Sequence, residues 1–253
     1  MNKQPGLAAL YVDAGREATS GLRRNWPILF GSAGLVVLLL IVHAIFGQLG
    51  LAGGMIAGMA EVAILALHYS WLAATVDRER LTWRNLRDFD YTMFFTVISV
   101  GFIFFVVQFV ASSLLQGLDQ TPLLFLGLGL VVVFNAIPEV IIVERIEGVA
   151  ALGRAAEFTR RHAFAWFVPL AVLSLPFLLP RGTIGSAGLE GLVLELANLN
   201  PLVPGVAVMH PLRILLDQVG ALFPVLLIPL VIVVANWYTL FRVCLFRRLA
   251  RLG

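Results

Sequence analysis

With 253 residues, 60% of them hydrophobic and only 13% charged, a mean hydropathy of +0.93 and a formal net charge of +3, the chain lies outside the range of soluble globular proteins. Such proteins carry about 45–50% apolar and about 25% charged residues, so this sequence reads as an integral membrane protein. Its single cysteine, Cys244, excludes an intrachain disulfide framework, and a modest positive charge on so apolar a chain points to anionic lipid headgroups rather than nucleic acid.

In chain order, the N-terminal stretch holds Lys3, Asp13, Arg16, Glu17, Arg23 and Arg24 without a separate apolar run and cleavage site, so no cleavable signal peptide is expected. Leu7, Tyr11, Ala14, Ala18 and Leu22 recur at helical spacing, which predicts an interfacial elbow helix over residues 7–24. Six apolar segments follow: Trp26–Phe46, Leu51–Ala74, Tyr91–Leu115, Leu123–Val143, Phe164–Leu179 and Leu222–Phe241. All but the fifth reach the ~20 residues that cross ~30 Å of hydrocarbon, and the fifth is short and interrupted by Pro169 and Pro176. The expected fold is therefore an all-α polytopic membrane protein with six transmembrane helices, forming one domain over residues 1–253. Residues 146–162 read as a second interfacial helix. Residues 181–218, punctuated by Pro201, Pro204 and Pro211, read as an outer segment that is partly re-entrant between the fifth and sixth spans.

The arginines orient these spans. Of the eighteen basic residues all but Arg181 and Arg213 fall on one side, in the N-terminal segment, in the connections after the second and fourth spans, and in the C-terminal tail. The positive-inside rule makes that side cytoplasmic and both termini internal, as expected for a multi-pass protein of a bacterial cytoplasmic (inner) membrane.

Several polar groups interrupt the apolar runs. Glu61 lies in the middle of the second segment, with His68 seven residues on and nearly on the same face; Asn135 and Glu139 are one turn apart in the fourth; Asn236 is in the inner half of the sixth. A bare carboxylate at that depth costs several kcal/mol, so these faces should look inward, either along a substrate or ion path or in a hydrogen-bonded structural network. Pro138 removes a backbone donor and frees a carbonyl one turn back, near Phe134, where Asn135 or a water could use it. With Asn135 and Glu139 it is read as lining a protected cavity near the inner mouth. Gly50, Gly53, Gly54 and Gly58 give the second segment a smooth face for close helix contact, within the chain or across a dimer. HExxH, GxSxG and phosphate-loop motifs are missing and the four histidines are scattered, so no intrinsic catalysis, cofactor or metal site is expected.

An elbow helix, a pair of spans, a charged connection beginning Arg78-Glu79-Arg80-Leu81-Thr82 and two further pairs with an irregular outer segment together resemble the ABC-2 class of ABC-transporter permeases. That resemblance implies a dimer driven by a separate cytoplasmic ATPase. The ATPase would dock on residues 78–88, with Arg78, Glu79, Arg80 and Arg84 as contacts, and the protein would move a lipid-like or hydrophobic substrate. Residues 138–166, with Pro138, Glu144, Gly148, Leu152 and Arg154, are also similar to a segment of a loose group of small six-span membrane domains, which implies a recurrent interfacial elbow and no activity. The alternatives are a non-catalytic scaffold or assembly factor that binds partner membrane proteins, as a homodimer or hetero-oligomer, or a small ion-coupled transporter using Glu61 and Glu139.

Overall fold

The computed structural model describes residues 6–114, 127, 129–130, 132–178 and 223–252. Every regular element among them is helical: α1 (Leu7–Arg24), α2 (Pro27–Phe46), α3 (Gly50–Val76), α4 (Tyr91–Leu114), α5 (Ile137–Glu144), α6 (Gly148–Leu178) and α7 (Phe223–Ala250), with a 3-10 turn at Asn85–Arg87 between α3 and α4. The protein is a multi-pass helical membrane protein, but four helices among the described residues are long and apolar enough to cross a membrane, not six: α2, α3, α4 and α7.

The two missing spans fail for different reasons. Leu123–Val143 is not one helix. The chain turns at residues 134–136, where the Ile137 amide closes on the Phe134 carbonyl at 3.1 Å, and restarts as the eight-residue α5. Pro138 is tolerated in the first turn of α5 because amides there have no intrahelical acceptor to lose. Phe164–Leu179 is not a separate helix either. Its residues through Leu178 continue α6, which begins at Gly148 and bends at His162, where φ is −120° and ψ is 16°. The outer segment expected over 181–218 lies outside the described residues, and no re-entrant element occurs among those described.

α7 is the hub. Inside the protein 61% of its apolar window is buried, against 17% for α2, so α7 is enclosed by neighbours while α2 faces outward. α1 packs along the C-terminal half of α7, burying Leu10, Ala14, Ala18 and Leu22 on one stripe. α5 is almost wholly enclosed, with Ile137, Val140 and Ile141 at zero exposure between α3, α6 and α7. An aromatic cluster joins α6 to α7: the Phe158 and Phe246 rings lie 4.3 Å apart, and Trp166 meets Phe158 edge-on at 5.2 Å.

Buried polar side chains tie the corners. Asn25, between α1 and α2, is fully buried; its Nδ2 donates to the Glu79 carbonyl (3.0 Å), and its Oδ1 accepts from the Leu81 amide (2.9 Å). This one amide fastens the elbow to the α3–α4 connection. The α5–α6 corner is held by Glu144, whose two oxygens accept from Arg154 Nε and Nη2 at 2.8–3.1 Å, and by the Gly148 amide, which donates to Ser99 Oγ of α4 (3.1 Å). The Glu144 carboxylate holds the Arg154 guanidinium charged, raising its already high pKa. α3 ends in a Schellman motif in which the Glu79 amide bonds the Ala74 carbonyl (2.9 Å) and Arg78 occupies the left-handed position (φ 64°) usually taken by glycine.

The glycine that brings α2 onto α3 is Gly31. A Cβ there would fall 2.6 Å from the ring of buried Trp71, whereas positions 54 and 58 open on free space. Gly31→Ala should therefore lower thermal stability in detergent by about 1–3 kcal/mol through overpacking. Gly54→Ala should be neutral or slightly stabilising, since it only replaces glycine by a better helix former. A melting series on the two variants checks both signs.

Candidate functional site

The break before α5 builds the most polar feature of the interior. Residues 134–136 leave the helical path, which frees the Asn135 carbonyl from an intrahelical bond and turns the Asn135 side chain toward α7. Arg242 fills that gap. Its Nη2 donates to the Asn135 carbonyl (2.7 Å) and to Asn135 Oδ1 (2.9 Å). Its Nε and Nη2 donate to the two oxygens of Glu139 at 2.7 and 3.1 Å. Glu139 lies in the first turn of α5, where the partial positive charge of the helix N-terminus also favours a carboxylate. Trp166 of α6 completes the shell: its indole N–H donates to Asn135 Oδ1 (3.1 Å), and its ring lies 4.7 Å from the guanidinium carbon, with Tyr238 at 5.9 Å on the same cation. Glu139 and Arg242 are both buried, with side-chain exposures of 0% and 5%, so the pair is neutralised internally and joined by two charge-assisted hydrogen bonds.

A second, smaller layer lies one to two turns away along α7. Asn236 Nδ2 donates to its own helix at the Ile232 carbonyl (2.8 Å), and Asn236 Oδ1 accepts from Ser32 Oγ of α2 (3.1 Å). His68 Nδ1 of α3 lies 3.4 Å from the same Ser32 oxygen, a contact completed by the Nδ1–H tautomer. Three spans thus meet through one hydroxyl.

The remaining candidates do not join these layers. Glu61 pairs with His43 of α2 at 3.0 Å, and the two side chains are 50% and 49% exposed, so this pair lies on the outer surface of α2 and α3. Asn135 and Glu139 come together, with Pro138 between them starting α5. Arg78, Glu79, Arg80 and Arg84 are all exposed on the connection leaving α3, where Glu79 takes part through its backbone, the carbonyl accepting from Asn25 and the amide donating to Ala74.

Arg242 is the residue that sequence reasoning missed. It was counted with the tail arginines that set orientation, although in "TLFRVCLFRR" it is set four apolar residues apart from the Arg247-Arg248 pair. That isolation is the signal of an arginine with an internal partner. Among the described residues no three His, Cys, Asp or Glu side chains gather into a metal-holding set. Comparison of the chain with protein-family models, with curated proteins and with solved structures found no match.

The chemistry this site supports is fixation of charge: both Glu139 oxygens and the Asn135 Oδ1 and carbonyl accept from Arg242. Removing one partner strands the other in an apolar interior. Glu139→Ala or Arg242→Ala alone should cost about 3–5 kcal/mol of stability, whereas Glu139→Leu with Arg242→Met should cost much less than the sum. A double-mutant cycle on thermal unfolding in detergent reads the coupling, and additive losses would show that the pair contributes no mutual stabilisation.

Proposed function

We propose that this chain is a non-catalytic membrane scaffold or assembly subunit that engages partner membrane proteins through its arginine-rich end. The observation behind this reading is how the polar residues are used. The sequence candidates that lie inside the fold are occupied with one another: Glu139 and Asn135 with Arg242, and Asn236 and His68 around Ser32. The charges of the α3–α4 connection, in contrast, are turned outward, with Arg80, Arg84 and Arg87 all exposed. By the positive-inside rule this end faces the cytoplasm of a bacterial inner membrane, with both termini on that side. The half-exposed Glu61–His43 pair on the outer surface of α2 and α3 gives a partner helix a polar feature to recognise, since polar ionisable side chains facing bare lipid are costly.

A second reading draws on the same exposed connection. In a dimeric permease subunit, Arg78, Glu79, Arg80 and Arg84 would be the contacts for a separate ATPase. Purification from native membranes in nanodiscs, with Arg80→Glu/Arg84→Glu run beside the natural chain, separates the two. Stoichiometric recovery of another membrane protein without an ATPase is the expected result. Recovery of an ATPase with two copies of the chain, lost on charge reversal, would establish the permease instead. A homomer with no partner under native expression would overturn both.

A further inference from the structure

Two adjoining cavities open beside α1 at the arginine-rich end. The first, about 490 Å³, is walled by Asp13, Arg16, Glu17, Arg24, Arg78 and Arg248, and Leu240 and Cys244 of α7 also line it. The second, about 740 Å³ and more open, shares Arg16, Ser20 and Arg24 with the first and adds Arg23 and Trp237. Arg16, Ser20 and Arg24 are spaced one turn apart, so a single stripe of α1 borders both spaces.

The charge of the first cavity is unbalanced once its internal pairs are assigned. Glu17 accepts from both Arg247 and Arg248, and Asp13 lies 3.5 Å from Arg248. Both carboxylates are therefore committed. Arg24 gives one nitrogen to the Thr75 carbonyl (3.1 Å). Among the described residues Arg16 and Arg78 face no carboxylate at ion-pair distance, and the buried Nε–H of Arg248 has no acceptor. Arg78 is also held in the left-handed region, a costly backbone conformation for a side chain of this size. Unmatched guanidinium donors from α1, the end of α3 and α7 thus border one half-open cavity.

Its depth in the membrane is marked by aromatic side chains. Trp26, Phe30 and Trp83 form an exposed cluster with ring centroids 5.6–6.1 Å apart, and Trp26 lies two residues beyond Arg24. Tryptophans in such clusters sit at headgroup level, which puts the cavity where lipid phosphates lie.

We propose that this arginine-walled cavity is a binding site for a phosphate-bearing anion. Guanidinium forks match phosphate oxygens in geometry as well as in charge, and two of them unpaired in one cavity supply both. An anionic lipid headgroup and a soluble phosphate share that chemistry. The site stands independently of the partner reading above.

The test uses the full chain in nanodiscs of phosphatidylcholine containing a minor share of phosphatidylglycerol. Bound lipid is counted by native mass after release, and inorganic phosphate is titrated separately in phosphatidylcholine-only discs. Arg16→Gln/Arg78→Gln removes the unpaired donors; Arg80→Gln/Arg84→Gln removes the same charge from exposed positions outside the cavity lining. The natural chain and the control should retain phosphatidylglycerol, and the cavity variant should bind it about tenfold to thirtyfold more weakly. If phosphatidylglycerol is not retained, but inorganic phosphate raises the melting temperature of the natural chain and the control and not of the cavity variant, the ligand is a soluble phosphate. Absence of both effects in the natural chain overturns the site, as does an equal loss in the control, which would mean diffuse surface charge. If the glutamine pair fails to insert, Arg16→Lys/Arg78→Lys takes its place, since it keeps the charge and removes the fork; it must bind more weakly than the control pair.

Discussion

An arginine in an apolar helix bundle needs acceptors that regular helices do not offer, because their carbonyls are already bonded. Arg242 obtains them from a place where the chain abandons the helix. The turn at residues 134–136 exposes a free carbonyl and directs the Asn135 amide oxygen inward, and the new helix begins with Glu139 in its first turn. The break and the arginine explain each other. Without Arg242 the turn would leave the Asn135 carbonyl unsatisfied in the interior, and without the turn the guanidinium would have Glu139 alone. A buried ion pair adds little stability over a well-packed apolar pair, but it is intolerant of misregistry. The pair sets the position of α5 against α7, and Trp166, bonded to the same Asn135 oxygen, extends that register to α6.

This arrangement also marks how far the sequence could be read. Membrane character and four long helices are written in hydropathy, and their ends follow from it closely: Trp26–Phe46 was expected where α2 runs from Pro27 to Phe46, and Tyr91–Leu115 where α4 runs from Tyr91 to Leu114. The fourth segment misleads because an apolar run looks the same whether lipid or protein surrounds it, and the fifth because it continues a helix that already begins at Gly148. "NAIPEVIIV" is as hydrophobic as a span, yet α5 is apolar because neighbouring helices enclose it. The polarity of Asn135 and Glu139 was visible, but Arg242 lies 103 residues from Glu139, and no local pattern joins positions that far apart. The glycines of α3 form a visible motif, yet a Cβ at Gly50, Gly54 or Gly58 would meet nothing within 4 Å, whereas Gly31 of α2, outside that motif, faces the Trp71 ring.

At the arginine-rich end the fold is held by side chains reaching across elements rather than by apolar packing alone. Asn25 ties the elbow to the α3–α4 connection, Arg24 and Arg247 cap carbonyls at the end of α3, and Glu144 with Arg154 closes the α5–α6 corner. Cationic side chains near the C-terminus of α3 also oppose the negative end of its helix dipole. The interfacial platform and the spans are thus one mechanical unit, and a ligand or partner that rearranges the arginines of α1 acts on groups directly bonded to α3 and α7.

The α1–α7 contact has a consequence for how the protein is made. Glu17 and the arginines that hold it, Arg247 and Arg248, are 230 and 231 residues apart. At about 5–20 residues per second of synthesis, α1 waits roughly 10–50 s for its partner to emerge. During that interval its buried stripe of Leu10, Ala14, Ala18 and Leu22 lacks α7, its main protein neighbour, and the bilayer surface is there to cover it. The helix must therefore be amphipathic enough to rest on lipid by itself, and it exchanges that temporary support for α7 once the distal arginines are in place.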